Sequence, residues 1–299
     1  MSYFGCITDD TIIFEDSIVG RIAAIDSKAT LIKVKNRRDL DLDKIEKAVT
    51  ILLSNKGSWK ESNLNVLIPM AGAGSRFAEA GYAFPKPLID VHDKPMIQAV
   101  VDNLAIEATY TYIVQKSHFE KYNLSYLLNA ITPNCNIVQV DGVTEGAAVT
   151  CLLAKEFINN DEPLVMANSD QIVDWNSREF LYSLISKNAD GGIATFNSTH
   201  PKWSYAKADS AGLVSEVAEK KPISDLATVG IYYWKHGHDF VKYAEEMISK
   251  DIRTNGEFYI CPVFNEAIQD NKRVYAVNIK QMWGIGTPED LNSYLMRNK

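Results

Sequence analysis

The stretch that most limits what this chain can fold into is residues 65–91, NVLIPMAGAGSRFAEAGYAFPKPLIDV. An apolar run, Val66 to Ile68, reads as a buried strand and leads into Ala71-Gly72-Ala73-Gly74-Ser75-Arg76. Glycines at that point let the backbone approach a ligand closely and turn its N–H groups toward an anion. Arg76 and Lys86 add cations to the same segment. A dinucleotide fingerprint would continue with a third glycine on entering a helix, and a P-loop would place Gly-Lys-Ser/Thr after its glycines. Neither follows here, so neither of those two loops is expected; the glycines either face a ligand or shape a turn beside surface cations.

The surrounding pattern agrees with a sheet that carries such a loop. From Leu64 onward, apolar runs (NVLIPMA, TYIVQ, NIVQV, PLVMANSD) alternate with helical patterns (KPMIQAVVDNLA, AAVTCLLAKEFI), which predicts an α/β fold. After Gly191, strands GGIATF, AGLVSEVAE and TVGIYYW are followed by helices HDFVKYAEEMISK and CPVFNEAIQD, as in a mixed sheet that holds an acceptor. Residues 1–60 differ in texture: TIIF, IVGRIAAI and TLIKV read as short strands before one helix. In that helix Ile45, Val49 and Leu52 share a face, Asp41 or Asp43 caps the start and Gly57 the end. SNKGSWKESN then reads as a linker. The expected organisation is a small α+β accessory module over 1–60 and a main domain over 61–299.

Composition removes several function classes. With 31 Lys and Arg against 38 Asp and Glu the net charge is −7, and no basic block interleaves with aromatics, so polymeric nucleic acid is not expected as a partner. An acidic chain that binds a polyphosphate must gather a few cations locally and recruit a metal. No run approaches the roughly 20 apolar residues of a membrane span, and the first ten residues, MSYFGCITDD, carry acids where a secretory signal is apolar, so a cytoplasmic protein is expected. Cys6, Cys135, Cys151 and Cys261 are too far apart for a ligand motif. The His residues show no ligand spacing apart from the pair at 236 and 238, which reads as surface loop. Ser75 lacks the G-x-S-x-G setting of an acyl-transfer nucleophile. Trp203, Tyr205 and Tyr232 are candidates for an acceptor pocket, but aromatics near strands are more often core, and that is the reading taken.

The strand, Gly72, Gly74, Ser75, Arg76 and Lys86-Pro87 together resemble the sugar-phosphate nucleotidyltransferase family. Further matches extend the resemblance from about Leu64 to Leu295. Thr144-Glu145-Gly146-Ala147 resembles the loop that receives base and ribose, and Asp170, after the strand Leu164 to Ala167, resembles the metal-binding aspartate. Glu219-Lys220-Lys221-Pro222 and the Gly230 strand resemble the segments that hold the acceptor, with either lysine as the counterpart of the family's single one. Trp283 to Leu291 resembles the closing W-x-D-[IT]-G-T-P-E-D-L motif, with Gly284 in place of its acid, and is read as a structural cap.

The resemblance implies a Rossmann-like, mostly parallel mixed sheet flanked by helices, similar to the fold of many nucleotide-sugar glycosyltransferases. It implies an enzyme that moves a nucleoside monophosphate from an NTP to a phosphorylated acceptor, such as a sugar 1-phosphate, with Mg²⁺ as cofactor. The implied product is a nucleotide sugar for capsule or surface polysaccharide, and homo-oligomers are compatible with it. Arg76, Lys86 and Asp170 would be catalytic, with Asp170 as the metal ligand. Ala71, Gly72, Gly74, Ser75, Thr144 and Gly146 would bind the nucleotide, and Glu219, Lys220, Lys221 and Gly230 the acceptor. Many members carry a second metal-binding acid where Pro262 stands, so Glu257 or Asp174 is the expected substitute, or substrate phosphate and water complete the shell. Two other readings compete: a glycosyltransferase, for which Ser169-Asp170-Gln171 lacks the usual D-x-D, and a nucleotide-binding module without turnover.

Overall fold

The structure is a computed structural model that describes residues 11–27, 29–53, 63–72 and 74–297; the expected linker, the Gly57 cap and Cys6 lie outside them. The chain begins with β1 (Ile12–Glu15), α1 (Ile18–Asp26), β2 (Thr30–Lys33) and α2 (Leu42–Leu53). The alternating part follows as β3 (Asn65–Pro69), α3 (Ser75–Glu79), a hairpin of β4 (Asp90–Val91) and β5 (Lys94–Pro95), α4 (Met96–Leu104) and β6 (Thr109–Gln115). It continues through α5 (Lys116–Tyr122), α6 (Leu124–Ile131), β7 (Asn136–Val140), α7 (Ala147–Leu152), α8 (Lys155–Ile158) and β8 (Leu164–Ala167). The run 147–158 divides into two helices because Leu153 and Ala154 donate to carbonyls three residues back, which tightens the chain and turns it. The last part comprises β9 (Gln171–Asp174), α9 (Ser177–Ile185), β10 (Gly191–Asn197), β11 (Ser204–Ala208), β12 (Val214–Glu219) and β13 (Leu226–Trp234). After these come α10 (Gly237–Ser249), α11 (Val263–Gln269), β14 (Val274–Asn278), β15 (Gln281–Gly284) and α12 (Pro288–Arg297). Among the described residues no helix is long and apolar enough to cross a membrane.

The main sheet runs β12-β11-β13-β8-β3-β6-β7, with β10 joined to β13 and β14 to β10. Strands β8, β3, β6 and β7 are mutually parallel, and their connections supply the flanking helices. β13 enters antiparallel to β8, with Ile231 opposite Ala167, so the sheet is mixed on that side. Parallel strands buried on both faces read as continuous apolar runs, and β8 is buried at every position. Two consequences place the site. The loops that leave β3, β7 and β8 open on one edge, and antiparallel β13 brings Thr228 to Gly230 to that same edge. A separate ribbon pairs β9 with β15, Gln171 opposite Gly284, which draws residues 281–290 toward Asp170. At the end of β13, Trp234 stacks on Phe264 of α11 with ring centroids 4.2 Å apart, within an extended apolar cluster.

Contact density divides the chain into two units, residues 63–175 with 189–299, and residues 1–62 with 176–188. The second unit therefore includes α9, which the sequence reading had left in the main domain. Within this unit β1 and β2 pair in parallel across α1. The segment IVGRIAAI, expected as a strand, is the helix α1: the Ser17 hydroxyl accepts from the Gly20 amide, and this cap outweighs the β preference of its Ile and Val. Ala24, Ile25 and Leu31 bury Tyr182 of α9, and Glu179 receives Arg21 at 3.0 Å and Lys33 at 3.3 Å. Asp41 caps α2 through the Lys44 amide.

Candidate functional site

A cavity of about 710 Å³ opens at the sheet edge described above, large enough for a nucleotide and a second small molecule. Its first wall is the loop after β3. Met70 continues the β3 ladder by donating to Ile113, and the Gln115 side chain at the end of β6 donates to the carbonyls of Ala71 and Gly142. The loops after β3 and β7 are thereby tied to one rigid strand. Buried Phe77 anchors α3, and Arg76 on that short helix lines the cavity without an ion-pair partner among the described residues.

Lys86 and Asp170 meet across the floor. Pro85 and buried Pro87 fix a tight turn that presents Lys86, whose Nζ lies 2.9 Å from Asp170 Oδ2. Asp170 is held from behind by its own carbonyl, which accepts from the Ile285 amide at 2.8 Å. Gly286 leaves the space the carboxylate occupies, since a Cβ there would lie 2.4 Å from Asp170 Oδ2. The closing motif is thus both a cap and a wall. Thr287 Oγ1 accepts from the Asp290 amide at the start of α12, while Met282, Gly284, Gly286, Thr287 and Asp290 line the cavity. Asp290 Oδ1 pairs with Lys202 at 3.3 Å, and Lys202 lies over the Trp203 ring.

The next wall is stitched together by Gly146. Its φ of 131° favours glycine, and a Cβ would fall 2.4 Å from the Phe258 carbonyl oxygen. Phe258 donates to Glu145 and accepts from Ala148, so residues 257–261 are drawn beside Thr144. The Thr150 hydroxyl donates to the Gly146 carbonyl, which holds the mouth of α7 closed.

Opposite lies the wall where the acceptor was expected. The Gly230 carbonyl accepts from the Asn168 amide and from Gln171 Nε2. Glu219 is hydrogen-bonded by Ser204, and burial raises its carboxyl above the usual range. Lys220, at a φ of 55°, lies 4.4 Å from the Tyr259 ring centroid and bonds its hydroxyl, which in turn donates to Glu257. Cys261 is also in the wall, but burial pushes its thiol up, out of the range of a reactive thiolate.

Of the residues singled out in the sequence, Ala71, Gly72, Arg76, Lys86, Thr144, Gly146, Asp170, Glu219, Lys220 and Gly230 line this one cavity. Gly74, Ser75 and Lys221 do not. Gly74 opens α3 in the left-handed region, Ser75 is its exposed first residue, and Lys221 is exposed on the neighbouring bend. That leaves Lys220 as the lysine of its pair that faces the cavity. Asp174 is also away from it, paired with Lys280 at 3.3 Å, whereas Glu257 lines it. Sequence reasoning missed Lys202, Asn168, Gln171, Tyr259, Gly286 and Asp290 as site residues, and of the aromatics it favoured for the core, Trp203 and Tyr232 line the cavity. Gly286 and Asp290 lie inside the matched closing motif and Asn168 and Gln171 beside Asp170, whereas Lys202 carried no motif.

Residues 65–298 match the family described as nucleotidyl transferase. The chain is 25% identical over 241 residues to the bifunctional protein GlmU of Methanocaldococcus jannaschii, covering 78% of this chain and 54% of that protein. It is 28% identical over 227 residues to the low-salt glycan biosynthesis nucleotidyltransferase Agl11 of Haloferax volcanii, covering 74% and 62% respectively. The chain thus spans between half and two thirds of the length of these relatives. Among solved structures, a nucleoside-diphosphate-sugar pyrophosphorylase from Vibrio cholerae superposes with a TM-score of 0.68 at 26% identity, covering 77% of this chain and 99% of that one.

Proposed function

The chain belongs to the nucleotidyl transferase family, and on that premise we propose that it transfers a nucleoside monophosphate from an NTP to a sugar 1-phosphate. The observation that carries the proposal is one cavity with the Arg76, Lys86 and Asp170 side chains on one side and Glu219 and Lys220 on the other. The names of the relatives, which point to sugar-nucleotide and glycan chemistry, support the same acceptor class.

In this reading an oxygen of the acceptor phosphate attacks the α-phosphorus, the new P–O bond forms as the bond to the bridging oxygen breaks, and pyrophosphate leaves with that electron pair. The attacking group is already an anion, so no general base is needed, and the protein's work is positioning and charge neutralisation. The backbone at Gly72 faces the triphosphate, Arg76 balances charge on the departing pyrophosphate, and Lys86 balances charge on the α-phosphoryl group. Lys220 receives the acceptor phosphate. Glu219 and the Gly230 backbone receive its hydroxyl groups.

The donor set fits a divalent cation that shares its shell with substrate. Asp170 supplies a carboxylate seated in the space that Gly286 leaves, and Glu257 and Asp290 line the same cavity. Asp170 would hold Mg²⁺, whose contribution when bound is neutralisation of phosphate charge. Lys86 partners Asp170 in the free protein, and with a cation on that carboxylate it would be available to the substrate phosphate.

The test is pyrophosphate release with each NTP against a panel of sugar 1-phosphates and other phosphomonoesters. Release that depends on both substrates supports the transfer. Its absence with every pair, together with cleavage of a completed nucleotide sugar, would replace the reading with glycosyl transfer.

A further inference from the structure

At the far end of β8 from Asp170, the loop that enters the strand meets the start of α10. Asp161, His236 and His238 converge there, each offering a ligating atom within 4.8 Å of the other two. Asp161 is distant in sequence from the two histidines, which are two positions apart, and the scaffold that assembles the three is firmly bonded. The Gly237 amide donates to the Glu162 carbonyl at 2.9 Å and the His238 amide to the Asn160 carbonyl at 3.0 Å. Glycine at 237 is what permits the approach, because a Cβ would fall 1.9 Å from the Ile158 carbonyl oxygen. Asn160 Oδ1 accepts from the Glu162 amide and closes the loop on itself.

The imidazoles are already oriented. His236 Nδ1 lies 2.6 Å from the Asp161 carbonyl oxygen, which can only accept, so Nδ1 carries the proton and Nε2 keeps its lone pair. His238 presents Nε2 to Asp161 Oδ1 at 3.2 Å, while its Nδ1 faces buried Asp239 at 3.7 Å. The acceptor behind His236 Nδ1 is the arrangement that fixes a metal-binding histidine, while Asp239, which pairs with Lys272 at 3.1 Å, faces His238 Nδ1 beyond hydrogen-bond distance. The two rings lie parallel, 2° apart in plane with centroids separated by 5.2 Å, so neighbouring imidazolium charges would repel, whereas one shared cation would be held by both. The first turn of α10 opposes a positive charge, and the Asp161 carboxylate offsets it, since that of Asp239 is already paired with Lys272.

We infer that Asp161, His236 and His238 form a second metal site, separate from the substrate cavity, that takes a borderline transition ion of the Zn²⁺ class. Two imidazoles and one carboxylate suit Zn²⁺, with water completing the shell, and disfavour Mg²⁺, which prefers oxygen ligands. The site braces the entry of β8 against α10 and takes no part in the transfer chemistry.

The test is calorimetric titration of the full, untagged chain with ZnCl₂ and, separately, with MgCl₂, alongside melting temperatures. One equivalent of Zn²⁺ should bind and raise the melting temperature, while MgCl₂ gives no heat at this site. His236→Gln and His238→Gln should each weaken Zn²⁺ by about tenfold or more. Asp161→Asn serves as the variant least able to disturb folding, since that side chain is 94% exposed, and it too should weaken Zn²⁺. All three should keep normal Mg²⁺-supported turnover. No Zn²⁺ binding to the native chain, or binding unchanged in the folded variants and therefore held elsewhere, such as at partly exposed Cys135, overturns the inference.

Discussion

At the scale of single residues, the cavity sets four cationic side chains against four carboxylates, so each charge can be given a task only through its partner. Arg76 has no ion-pair partner among the described residues and Lys86 has one that a metal would replace. Both are proposed to face charge that grows during transfer. Arg76→Ala and Lys86→Ala should each lower kcat by about a hundredfold or more with little change in melting temperature. Near-normal turnover in both variants would remove them from the chemistry. Glu219 gives a prediction of stability against pH. Burial raises its carboxyl above the ordinary value of 4.5, so the folded chain keeps this proton to a higher pH than the unfolded chain does. Its contribution is fully present below that ordinary value and is lost as pH rises through the raised one. Glu219→Gln cannot ionise, so melting curves collected from mildly acid to neutral pH should show the native chain losing ground to the variant. Parallel trends would mean that the carboxyl is solvated.

At the scale of elements, the site depends on crossings between segments that are far apart in the chain. Gly146 lets α7 touch the Phe258 backbone, and β15 brings Gly286 and Asp290 to Asp170 by pairing with β9. The N-terminal elements act on a different helix. Glu179 and Tyr182 of α9 have their ionic and apolar partners in α1 and β2, so residues 1–60 are proposed as an accessory module that covers one helix. A chain starting at Asn63 should fold and retain turnover, while amide exchange accelerates across residues 176–188 because those partners are gone. Insoluble protein at every start site near Asn63, or exchange unchanged in α9, would show that the segment has another role.

At the scale of the molecule, a net charge of −7 means that a triphosphate is held by local cations and not by the overall field. If Asp170 shares its metal with the substrate, Mg²⁺ alone should bind weakly and shift the melting temperature little. NTP and Mg²⁺ together, at about a hundred times the dissociation constant, should stabilise the fold by about 2.7 kcal/mol. Asp170→Asn should abolish turnover yet leave nucleotide contacts in place. Tight Mg²⁺ binding without NTP would show that further protein carboxylates close the shell. The sequence by itself determined the strand and glycine loop, the alternating α/β order, the family, and the segments holding Arg76, Lys86 and Asp170, because these features are local or follow a short period. It misread IVGRIAAI, where a single serine cap decided between helix and strand. Only the tertiary structure decided which residues share a space. Lys220 faces the cavity and Lys221 does not, Asp174 turns to Lys280, Gly286 makes room for a carboxylate 116 positions earlier (286 − 170), and Asp161 reaches two histidines after a long excursion. Such pairings depend on strand order and on close backbone approaches, which no local pattern in the chain encodes.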